Sequence, residues 1–84
     1  MQACEIWSVP AERIRDFFLS QNDVRQEADD RFSFGACGIR LTALPPRPVG
    51  RFCFPQTQVE FDGPGPDAEA IHRRFVLQFI SAGG

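Results

Sequence analysis

Nucleophilic, acid–base and metal chemistry in this chain would fall to three cysteines, Cys4, Cys37 and Cys53, and to a single histidine, His72. Cys37 lies among small residues in Gly35-Ala36-Cys37-Gly38, where backbone amides can lower a thiol pKa. Cys53 lies between Phe52 and Phe54, where burial would raise it. These four side chains match a zinc ligand set in number, yet none forms the close CxxC pair that organises such a site. No phosphate loop, zinc-helix pattern or nucleophile elbow occurs. Lysine is absent, so no side chain can form a Schiff base. The expectation is structural thiols, no metal, no cofactor and no enzymatic activity.

Binding is the stronger reading, and it rests on arginine. All nine basic residues are Arg, whose planar fork suits carboxylates and phosphates. The net charge of -2 hides a segregation: residues 1–30 carry seven acids and three arginines, 31–59 carry four arginines and no acid, and 60–84 carry four acids and two arginines. Arg31, Arg40, Arg47 and Arg51 are therefore the expected partner-binding residues, facing an anionic protein surface. Phe32, Phe34, Phe52 and Phe54 interleave with them, and cations beside rings are also the ingredients of a single-stranded nucleic-acid platform. A pI of about 5.2 lies outside the basic signature of such domains, and the rings are expected inside.

The chain ends Ser81-Ala82-Gly83-Gly84, a tail slim enough to thread into an activating enzyme. It resembles the ending of ubiquitin-like proteins and of the sulfur carriers of thiamine and molybdopterin synthesis. That resemblance covers two to four residues and implies a terminal carboxylate, carried by Gly83-Gly84, that is adenylated and then thiolated or conjugated. In those β-grasp families a hairpin precedes the main helix and a strand runs into the tail. Here a helix comes early and a helix precedes the tail.

The elements that must position these residues follow from periodicity. Eighty-four residues make one domain, residues 1–84, with a small core carried by nine Phe. Cys4 to Val9 suggests a short strand. Ala11, Ile14, Phe17, Phe18 and Gln21 recur at helical spacing, predicting a helix over about 10–21 with Ser8 near its cap. Val24 to Asp30 is polar enough only for an edge strand. Arg31-Phe32-Ser33-Phe34 is echoed twenty residues on by Arg51-Phe52-Cys53-Phe54. The interval to the next apolar pair, Ile39/Leu41 or Val59/Phe61, is odd. It therefore demands either a four-residue hairpin loop (Gly35 to Gly38, Pro55 to Gln58) or a bulge. Leu44-Pro45-Pro46-Arg47-Pro48-Val49-Gly50 reads as an extended, polyproline-like connection.

Asp67, just after Pro66, should cap a second helix over about 67–82. Its apolar stripe is Ala68, Ile71, Phe75, Phe79 and Ala82, extended by Val76 and Ile80, with Leu77 off the stripe. The expected fold is α+β: an antiparallel meander of three to five strands with an early and a C-terminal helix. A ferredoxin-like βαββαβ order is the alternative if Phe75 to Ile80 is a strand. No apolar run approaches the ~18 residues of a membrane span, no leader pattern opens the chain, and the cysteines are odd in number and dispersed. A reducing compartment follows, most simply the bacterial cytoplasm. An edge strand on so small a core also allows a homodimer.

Overall fold

The computed structural model describes the backbone of residues 2–83 and the side chains as far as Ile80. The order is β1 (Gln2–Trp7), α1 (Ala11–Leu19), β2 (Arg25–Ala28), β3 (Arg31–Phe34), β4 (Cys37–Val49), β5 (Phe52–Asp62) and α2 (Gly65–Gly83). The strands form one antiparallel sheet in the order β1-β5-β4-β3-β2. This is the expected α+β meander. The C-terminal apolar stripe is helical throughout, so the βαββαβ alternative fails: with a period of 3.6, Ala68, Ile71, Phe75 and Phe79 share one buried face. Ala82 and Gly84 lie outside the described residues, the former for its side chain.

Both helices pack on the same face of the sheet. Alternate strand residues point that way: Phe32 on β3, Cys37, Ile39 and Leu41 on β4, and Thr57, Val59 and Phe61 on β5 are buried there with Ile14 and Phe18 of α1. Phe75 is the hub. Its ring lies 4.9 Å from that of Trp7, 5.8 Å from Phe18, 5.7 Å from Phe61 and 5.1 Å from Phe79, centroid to centroid, which ties α2 to β1, α1 and β5 at once. Polar links lie around this knot. Arg74 grips Asp23 with two bonds of 2.8 and 2.9 Å and rests 5.0 Å above the Phe34 ring. His72 Nε2 lies 3.0 Å from Glu5, which also accepts from Trp7 Nε1. The buried Thr57 hydroxyl donates to the Val9 carbonyl.

The echo and the loops resolve differently from the sequence reading. Gly35-Ala36 is a two-residue turn, so Phe34 pairs with Cys37 and Phe32 with Ile39, in place of a four-residue loop. Gly35 takes φ 57° at the first central position, the signature of a type II′ turn, and a β-carbon there would sit 2.6 Å from Asp67 Oδ2. Asp67 does not cap α2, which already begins at Gly65; its carboxylate instead accepts from the Ala36 amide at 2.9 Å. Ser8 likewise leaves α1 uncapped, and its hydroxyl accepts from Gln56.

The second copy contains no turn at Pro55 to Gln58, because β5 runs unbroken to Asp62. The proline-rich segment is no connection but the outer half of β4. A register shift between Leu44 and Arg47 places Pro45 and Pro46 opposite Pro55. A bulge takes up the extra residue, and β3 pairs only with Cys37 to Arg40, so the prolines fall where β4 has one neighbour and missing donors are tolerated.

Phe75→Ala should cost about 3–5 kcal/mol, most of the stability of a domain this size, while Leu77→Ala on the exposed face of α2 should cost less than about 0.5 kcal/mol. Urea unfolding measures both. The Arg74 hydrogen bonds hold the Asp23 carboxyl below its ordinary pKa, so their contribution is present above the carboxylate range and is lost as pH falls through the folded-state value. Asp23→Asn should therefore lower the thermal midpoint at neutral pH, and its difference from the parent should shrink on acidification.

Candidate functional site

With both helices on one side, the other face of the sheet is open. Cross-strand register arranges it in rows. One row runs Arg25, Ser33, Gly38, Asp62, Gln2; the next runs Arg31, Arg40, Glu60, Cys4; a third runs Thr42, Gln58, Ile6. Gly38 has no side chain, which leaves a shallow depression of about 340 Å³ bordered by Arg31, Ser33, Arg40, Glu60 and Asp62.

Beyond the last row, β4 and β5 continue alone as an arm. Every residue from Pro45 to Pro55 is exposed, and the molecule is elongated, 42 Å in its longest dimension against 26 and 23 Å in the others. Gly50-Arg51 makes the turn, with Gly50 at φ 62°. After the bulge, Arg47 faces Phe54 and Val49 faces Phe52, all four on the open side of the sheet. Phe52 is 67% exposed and Phe54 44%, their rings 6.4 Å apart. These two phenylalanines were expected inside. Strict alternation along an unbroken β5 instead puts them opposite in sense to Val59 and Phe61, and no helix reaches the arm.

Arg31, Arg40, Arg47 and Arg51 are all exposed, and among the described residues none makes an ion pair or side-chain hydrogen bond. The fold brings them together in part: Arg31 and Arg40 face each other directly on the sheet, while Arg47 and Arg51 belong to the arm. Like charges placed opposite each other are unfavourable, and Arg31 and Arg40 have no internal carboxylate bound between them. Glu60, across from Arg40, accepts only from Gln58 Nε2 at 3.1 Å. Gly83 closes α2, and Gly84 lies outside the described residues. Sequence reasoning missed Arg74, whose partners Gln21 and Asp23 lie more than fifty residues away along the chain. It also missed the apolar content of the open side; the available signal was the even spacing of Phe52, Phe54 and Gln58 along one strand.

The cysteines are separated. Cys37 is buried, and burial pushes its thiol pKa up, a backbone hydrogen bond to Asp62 opposing and the carboxylates of Asp62 and Asp67 reinforcing the shift. Cys53 is exposed on the arm, contrary to the burial expected between two rings, and Cys4 is exposed on the open face. His72 hydrogen-bonds Glu5 and sits edge-on to Phe61 at 5.1 Å, with no hydroxyl or thiol bonded to its ring. No group of three or more metal-binding side chains gathers among the described residues. No helix among them is long and apolar enough to cross a membrane. No protein-family model matches the chain, and no curated protein matches its sequence.

At low micromolar protein, a thiol reagent should label Cys4 and Cys53 rapidly and Cys37 only after unfolding. Peptide mapping of the labelled protein checks this; fast native labelling of Cys37 would contradict its burial.

Proposed function

We propose that this protein is a non-enzymatic binding module that meets an anionic protein surface through Arg31, Arg40, Arg47 and Arg51. The observation that carries the reading is the arm: Phe52 and Phe54 lie in solvent beside Arg47, and the arginines have no internal partner among the described residues. Exposed rings are costly in water and arginine is a frequent anchor at interfaces, so rings and guanidinium ions on one side form a surface fitted to an apolar, acidic counterpart. Arg31 and Arg40 extend that surface over the depression at Gly38. The setting is a reducing cytoplasm, where the free thiols of Cys4 and Cys53 persist.

Tagged protein expressed in its host at native level should retain a protein partner that the Arg40→Ala/Arg47→Ala/Arg51→Ala variant recovers about tenfold less well, and retention should weaken with salt. Unchanged recovery by a variant whose circular dichroism matches the parent rejects the surface. A salt-steep affinity for single-stranded oligonucleotides in place of protein retention would assign the arginines to phosphate.

A further inference from the structure

We infer that the anionic partner is a second copy of this chain, packed open face to open face. The inference rests on the reading above and names its partner. The open face is divided by charge along a line between β4 and β5: Arg25, Arg31 and Arg40 lie on the β4-β3-β2 side with Glu27, and Glu60 and Asp62 lie on the β5 side. The face is therefore positive on one flank and negative on the other. A two-fold axis parallel to the strands and running between β4 and β5 exchanges the flanks while keeping the rows in step.

Under that operation β4 lies over the partner's β5. Arg40 then meets the second copy's Glu60, and the gap at Gly38 receives the second copy's Asp62. Farther along the arm, Arg47 falls over the second copy's Phe54 ring and Val49 over its Phe52. One operation thus gives a counterpart to an unpaired guanidinium, an unpaired carboxylate and both exposed rings. Two sheets packed this way form an aligned sandwich with faces about 10 Å apart. Four strands over the core rows, β2 overhanging the partner's edge, plus the two-stranded arm offer a projected area on the order of 550 Å² per copy, at the lower end of what a specific interface buries and below the roughly 800 Å² per partner of a standard one. Face packing is also the route the arm leaves open, since Pro45, Pro46, Pro48 and Pro55 withhold amide donors from its edges.

Charge exchange tests the arrangement. In sedimentation velocity from about 10 to 500 µM, the parent should dimerise, and Arg31→Glu/Arg40→Glu and Glu60→Arg/Asp62→Arg should each weaken dimerisation at least about tenfold. Mixing the two variants should restore it, because each repulsive flank then meets its opposite. Phe52→Ser/Phe54→Ser, which alters no charge, should also dissociate the dimer. In the parent, labelling of Cys4 should slow as concentration rises while that of Cys53, on the opposite face, does not.

A parent that stays monomeric across this range overturns the inference. If that monomer still binds a host protein through its arginines, the anionic-partner reading survives; if it binds phosphatidylserine vesicles instead, both fall. A dimer indifferent to the variants, or two variants that do not recover on mixing, also overturns it.

Discussion

The packing of Phe75 against rings from both helices and two strands is the constraint from which the rest of the molecule follows. A chain of this length can build only one core, and it spends eight of its ten aromatic residues on one side of the sheet, all but Phe52 and Phe54. Trp7, Phe17, Phe18, Phe61 and Phe79 gather around the α2 stripe, and the two helices hold one another in place through Phe17 and Phe79. Nothing comparable remains to cover the other side. The open face is thus the direct result of where the aromatic side chains are placed, and so is the bare arm, which extends past the end of the helical layer.

Within that layer the polar contacts orient the elements that the rings hold together. Arg74 and His72 lie two residues apart on α2 and reach in different directions, the first to Asp23 and Phe34, the second to Glu5. Together they fix the rotation of α2 about its axis, and rotation decides whether Phe75 points at the knot. Asp67 fixes the start of the same helix by accepting from the β3–β4 turn. Gly35 is needed there twice over, for its left-handed backbone and for the space the Asp67 carboxylate occupies.

The helices were legible in the sequence because period 3.6 separates Ala68, Ile71, Phe75 and Phe79 from Leu77, although the run of strand-forming residues from Phe75 to Ile80 left a strand open there, and the edge character of β2 followed from its polarity. The strand register was not. Gly35-Ala36 and Gly50-Arg51 each carry the glycine-first pattern of a two-residue turn, but the Arg-Phe-x-Phe echo points to two equivalent copies, each with a four-residue hairpin loop or a bulge. The echoed segments are equivalent only in composition: Phe32 faces the core across from Ile39, whereas Phe52 faces solvent across from Val49. Consecutive prolines argued against a strand, and that argument holds for a central strand alone; on an arm with a single neighbour and a bulge they are accommodated. The four arginines could be singled out by type and by the lack of nearby acids. Their division between sheet and arm depended on the register.

Charge segregation along the chain becomes segregation across the face for a topological reason. The acid-free stretch of residues 31–59 supplies β3, β4 and the arm, and the acidic stretch resumes at Glu60, in the half of β5 that returns beside β4. Neutralisation within the chain would require Arg40 to bond its cross-strand neighbour Glu60, yet Glu60 is engaged by Gln58 and Arg40 stays free. Opposite charges therefore stand side by side without being satisfied by each other, on a face that also exposes Ile6, Val49, Phe52 and Phe54. A surface of this kind gains most from a counterpart that supplies apolar area and both signs of charge in the same spacing. Proline withholds amide donors from the arm's edges and so disfavours strand addition there, which leaves the side chains of the face as what the arm presents to solvent.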